Sequence, residues 1–264
     1  KTITYTIAKA NVTLSGLTMN SWGYNETAST PGVTVNKTFG EDVTVRYEYF
    51  ALDGTSLGTT APTAVGTYKV KAIVDGTDNY TGHSVEKEFS IVPAKATLST
   101  PTFTGGANGK YYMNNFGYST AGLTATHAGQ TVSGTFAFGT PVFVAGTNTS
   151  YIELTFTPND TANYAVVTVK NYVTFVTVAV NNSTGVAYGS IESALKEAVS
   201  GNTVQVKAYD PDLGPIYIKE NVEIKSGVTF ILPYGVDGSG INTIANSGTI
   251  NIPAETQGLT TDPA

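Results

Sequence analysis

Two aromatic pairs stand at matching places in similar phrases of this 264-residue chain: Trp22 with Tyr24 in Asn20-Ser21-Trp22-Gly23-Tyr24, and Phe116 with Tyr118 in Asn114-Asn115-Phe116-Gly117-Tyr118. Aromatic faces pack on the C–H groups of pyranose rings, so the four could form a sugar-stacking platform; a pair of core plugs fits the same repetition. Asp210, Asp212, Glu220, Glu223 and Asp237 are the acids to test in a polysaccharide lyase or hydrolase, where two carboxylates flank the scissile bond. No spacing singles out a pair, and a solvated face accounts for them. His83 and His127 are the only histidines. Each lies among Gly and Thr, without further ligands at metal spacing, and both are expected in surface loops. Asp75, Asp78 and Asn79 could offer oxygens to Ca²⁺, as could Asn159, Asp160 and Asn163 later on. Turn chemistry explains both sets. Lys9 and Lys95 are candidates for a Lys–Asn isopeptide cross-link, which needs a buried lysine beside a buried asparagine and an acid; no partner is identifiable. No catalytic residue, metal set or cofactor is therefore assigned.

Composition narrows the class. Only 13% of residues are charged, against roughly 25% in ordinary soluble domains. Thr (43 residues), Gly (28) and Tyr (16) fill the gap. Thr and Tyr suit half-buried pleated surfaces, and Gly suits turns. With no cysteine there is no disulfide or thiol chemistry, which fits many Gram-positive surface proteins and also a cytosolic one. A net charge of −6 with Arg46 as the only arginine argues against nucleic acid, whose phosphates need clustered cations. No apolar run approaches the ~18 residues of a membrane span. The chain opens directly in an alternating pattern and is read as a fragment of a longer protein whose targeting signal and anchor lie elsewhere.

The elements that must position these residues come in three stretches. Residues 1–93 hold period-2 strands at Thr2–Ile7, Val43–Tyr49, Gly66–Val74 and Val85–Val92, with a turn at Asp75-Gly76 and a stop at Pro93,. Residues 94–180 repeat the plan. Val92-Pro93-Ala94-Lys95-Ala96-Thr97-Leu98 echoes the stretch from Ile7 to Leu14, and Asn159 to Tyr164 echoes Asp75 to Tyr80. Offsets of about 84 to 94 residues suit a small β-domain used twice. In both copies Tyr80 and Tyr164 are expected to turn inward, with the preceding Asn bonding the loop. Residues 181–264 differ: Ser190–Val199 reads as a helix capped by Ser190, with Ile191, Ala194, Leu195 and Ala198 on one face and Gly201 as the stop. Short strands follow, then a polar tail from Ala254. The expected class is all-β: two tandem sandwiches plus a small module with one short helix.

Ala64-Val65-Gly66-Thr67-Tyr68-Lys69-Val70, Asp78-Asn79-Tyr80 and Phe89-Ser90-Ile91 followed by Ala94-Lys95-Ala96 resemble the MBG family, β-domains strung along bacterial surface proteins and adhesins. Thr155 to Asp160 with Ala162-Asn163-Tyr164 carry the likeness in the second copy, where Gly146-Thr147-Asn148 departs from the pattern. The third stretch resembles the opening of a pectin-lyase-like right-handed parallel β-helix, through its helix, Ser200 to Val206, and Ile224 to Phe230. The resemblance implies an extracellular, non-catalytic segment of a bacterial cell-surface protein, a stalk or adhesin module, meeting a glycan or protein surface. The alternatives are a carbohydrate-binding module and a truncated β-helix polysaccharide lyase or hydrolase. The short joint at Pro93 is expected to make a semi-rigid rod, and the polar Asn181–Gly185 a joint that bends more.

Overall fold

A computed structural model describes residues 3–38, 42–145, 149–207, 210–214, 216–218, 220, 222–232, 236–237, 244–246 and 249–251. Among them the chain is all-β apart from one α-helix and one short 3₁₀ turn, Met113–Asn115, and no sheet closes into a barrel. Two compact units arise: residues 1–98 with 124–135 and 157–167, and residues 99–123 with 136–156 and 168–264.

In the first unit a five-stranded sheet runs in the order Trp22–Gly23, His83–Val92, Gly66–Val74, Val45–Ala51, Ser56–Gly58. A three-stranded sheet, Gly32–Lys37, Ala10–Thr18 and Tyr80–Thr81, packs on it. Alternation does the work, as strand geometry requires. Ala72 and Val74 point inward from one sheet and meet Val12, Leu14 and Tyr80 from the other, while Val70 enters a second core with Trp22, Tyr49, Phe89 and Ile91. Each fully buried valine or leucine among them contributes ~1.5–3 kcal/mol. Gly66–Val74 is a strand over the expected residues, and the closing strand starts two residues earlier than expected, at His83.

Thr2–Ile7 corrects the sequence reading. Its described residues are not in a strand, the first strand being Ala10–Thr18. Ile3, Tyr5 and Ile7 stand in solvent. Alternation supplies a face, but a strand also needs a neighbour to pair with, and these residues pair with none of the described strands.

The repeat is visible in the pairing. Ala10 and Asn11 bridge in parallel to Tyr80 and Thr81, and Ala94 and Lys95 bridge likewise to Tyr164 and Ala165. The Ala10 N–H donates to the Asn79 carbonyl at 2.8 Å, and the Ala94 N–H to the Asn163 carbonyl at 2.9 Å. Tyr80 is buried, whereas Tyr164 stays half-buried. A second sheet orders Gly134–Phe138, Tyr151–Pro158 and Val167–Tyr172 as Val45–Ala51, Gly66–Val74 and His83–Val92 are ordered in the first copy. Ile152, Leu154 and Phe156 are its wholly buried face.

In the second unit Val186–Tyr188, Ala179–Asn181 and Thr203–Val206 pair antiparallel, and Thr229–Ile231 and Thr249–Asn251 continue the sheet in parallel, so Thr203, Thr229 and Thr249 lie abreast. Two further parallel ladders pair Ile216–Tyr217 with Val236–Asp237 and Val222–Ile224 with Ile244–Asn246. The helix spans Ile191–Glu197, within the expected range. Ser190 caps it by accepting the Ser193 N–H, and Ile191, Ala194 and Leu195 enter a core with Val204, Ile224 and Phe230,. Asn181–Gly185, expected as a bending joint, is a hairpin turn. The Gly185 N–H donates to the Asn181 carbonyl at 2.7 Å, Gly185 sits at φ +75, and the Asn181 amide donates to Asn202 Oδ1 at 2.9 Å,. The stretch 146–148 and the tail from Ala254 lie outside the described residues.

Candidate functional site

The four aromatics separate into two roles. Trp22 is 9% exposed and stacks on Phe89 at 5.1 Å, in the same core as Met19 and Tyr49. Tyr24 is half-buried and meets Tyr164 edge-on at 5.5 Å. Phe116 is buried among Phe103, Tyr111 and Phe175. Tyr118 alone is substantially open, 42% exposed, its ring propped by Phe116 at 5.6 Å and Phe138 at 5.1 Å. The two phrases are not structural equivalents. Trp22–Gly23 runs parallel to Ile91–Val92, while Gly117–Tyr118 runs antiparallel to Phe103–Thr104. The residue beside the corresponding closing strand in the second copy is Tyr111, paired in parallel with Phe175.

The histidines lie in strands and are half-buried, which corrects their expected place in surface loops. His83 Nδ1 accepts the Leu14 N–H at 3.1 Å. The His127 ring lies between the carbonyls of Tyr24, 3.0 Å from Nε2, and Lys95, 3.3 Å from Nδ1. The acids of the turns are already engaged. Asp75 takes both Arg46 Nε and an Arg46 terminal nitrogen, at 2.8 and 3.1 Å, which holds its carboxyl below the usual range,. Asp160 accepts the backbone and side-chain N–H groups of Asn163 at 3.1 and 2.9 Å. Among the described residues no three His, Cys, Asp or Glu side chains gather as a metal site would require. Lys9 and Lys95 are both exposed, so neither has the buried setting that an isopeptide bond needs.

One cleft in the second unit combines an open aromatic ring with carboxylates. A cavity of about 380 Å³ lies between Tyr118, Asn114 and the first turn of the helix, with Ser190, Glu192 and Glu220 on its walls. A neighbouring cavity of about 480 Å³ shares Glu192, Ser193 and Glu220 and extends to Glu223 and Lys225. The Asn114 amide donates to both oxygens of Glu192, at 2.8 and 2.9 Å. The cleft thus sets acceptor oxygens of Glu192 and an exposed aromatic face of Tyr118 side by side,. Composition gave no sign of this cleft, because Asn114 and Glu192 meet only through the fold.

Of the remaining acids, Asp210 is bound away from the cleft. It accepts Lys110 Nζ at 2.9 Å, which lowers its carboxyl and raises the Lys110 ammonium. Its N–H donates to the Tyr112 hydroxyl at 2.7 Å, and that hydroxyl donates to the Gly214 carbonyl at 3.1 Å. Asp212 stands 3.8 Å from Lys110. Asp237 lies in a strand whose side chains fall outside the described residues.

No protein-family model matches the chain, and no curated protein matches it in sequence.

Proposed function

We propose that this chain is a non-catalytic, extracellular segment of a bacterial cell-surface protein, a stalk or adhesin module built from two MBG-like sandwiches and the first turns of a parallel β-helix. The observation that carries the reading is the shared junction: the same parallel bridge and the same Ala-to-Asn hydrogen bond open both copies. Duplicating a scaffold without duplicating a carboxylate or histidine set builds length and surface, not a reaction centre. The parallel ladders that set Thr203, Thr229 and Thr249 abreast support the β-helix part. Antibody labelling of intact, unpermeabilised bacteria that make the protein tests the location, and labelling only after permeabilisation overturns it. Incubation with a panel of polysaccharides should release no new reducing ends.

The cleft at Tyr118 favours a second reading, a carbohydrate-binding module. On a glycan array, binding that Tyr118→Ala removes while the fold stays intact would support it. Trp22→Ala is the poorer probe, since that ring belongs to the core.

A further inference from the structure

Ile3, Tyr5 and Ile7 are large apolar side chains left in water, 66%, 84% and 94% exposed. The repeat supplies their counterparts. Stepping by about 84 residues, Tyr5 and Ile7 fall in register with Phe89 and Ile91, and again with Val173 and Phe175,. The register is fixed independently by the fold, because the same step carries Ala10 to Ala94 and Tyr80 to Tyr164, which make the same bridge in both copies.

Both counterpart pairs are buried: Phe89 and Ile91 at 3% and 1%, Val173 and Phe175 at 7% and 6%. The first pair lies within one long strand; of the second, Phe175 is in the strand Thr174–Phe175, and Val173 just before it donates its N–H to the Ser150 carbonyl at 2.9 Å. Phe89 and Ile91 lie on His83–Val92, antiparallel to Gly66–Val74 on one side and parallel to Trp22–Gly23 on the other. Phe175 runs parallel to Tyr111 in the same way. One pattern is thus buried twice and exposed once.

We propose that Ile3–Ala8 is a closing strand of the same type, and that its partner is the sheet of a further copy of this repeat. There it would lie against the strand equivalent to Gly66–Val74. Its own neighbours cannot take it, since His83–Val92 already fills that place in the first unit. A period-2 face of Tyr and Ile with Thr between them matches a half-open sandwich, which supplies a backbone ladder and an apolar slot together. This inference does not depend on what the assembled protein binds.

The test transplants the segment into the 264-residue chain. Replacing Lys87–Val92 by the residues of Ile3–Ala8 takes K87I, E88T, F89Y, S90T and V92A, with Ile91 unchanged. We expect a cooperative unfolding transition with Tm within roughly 8 °C of the parent. Setting Thr4–Lys9 at the same positions shifts the pattern by one residue, and we expect the transition to be lost. Any other combination of the two results overturns the proposal. A companion variant, Tyr5→Ser with Ile7→Ser, should leave the parent Tm unchanged, because the segment contributes nothing to the core of the unit that follows it. A fall in that Tm would place the segment in this unit's own sheet and overturn the proposal as well.

Discussion

Tyr80 and Tyr164 hold the same place in the two copies and differ in what surrounds them. Tyr80 is 1% exposed inside a core of Val12, Leu14 and Val74. Tyr164 leans on the rings of Tyr24 and His127 and stays half-buried. Truncating a buried aromatic leaves a cavity as well as losing transfer energy, so Tyr80→Ala should cost about 3–5 kcal/mol in denaturant unfolding. Tyr164→Ala should cost less than half of that. Acid titration separates another residue. Lys110 holds the folded-state carboxyl of Asp210 below its unfolded value. That contribution is complete above the unfolded Asp value near 3.9 and is lost as pH falls through the lower folded value. Asp210→Asn should therefore flatten the fall of Tm below about pH 4 while lowering Tm at neutral pH.

Among the elements, the helix Ile191–Glu197 shows how little local signal a short helix needs when packing supports it. Seven residues do not form a stable helix alone,. Here Ser190 caps the start, and Lys225 Nζ donates to the carbonyls of Lys196 and Ala198 at the end, at 2.6 and 2.9 Å. Three apolar side chains are buried beneath. Ser190→Ala should lower stability by about 1 kcal/mol, read from the chemical denaturation midpoint. The closing strands make the complementary point. His83–Val92 is a strand because Gly66–Val74 pairs with it along its whole length. Ile3–Ala8 carries the same pattern and is not one, and it pairs with no strand among the described residues.

At the scale of the whole molecule, the sequence has no cysteine for a disulfide, and apolar cores and loop hydrogen bonds hold the described residues together. Of the acids that could have bound Ca²⁺, Asp75 is held by Arg46 and Asp160 by Asn163. A ligand that binds the folded state raises Tm. Adding Ca²⁺ or EDTA should consequently move Tm by no more than about 1 °C, measured by scanning calorimetry. A larger rise with Ca²⁺ would mean that the turns at Asp75 and Asn159 rearrange around a cation.

The sequence alone determined the class and much of the element map. Period-2 runs such as Gly66–Val74, and the Ser190 cap with its apolar face, are dictated by local geometry, so they read directly,. The duplication was legible too, since matching residues at a constant step need no coordinates. Tertiary structure decided everything that depends on a distant partner. It buried Trp22 and left Tyr118 open, although their phrases look alike, because one strand pairs with Ile91 and the other with Phe103. It turned Asn181–Gly185 from a linker into a hairpin, since turn residues read the same in either setting. It placed Asn114 on Glu192, a contact made across a long stretch of chain that no local spacing encodes. It also withheld a strand from Ile3–Ala8, because a strand's hydrogen bonds belong half to its neighbour.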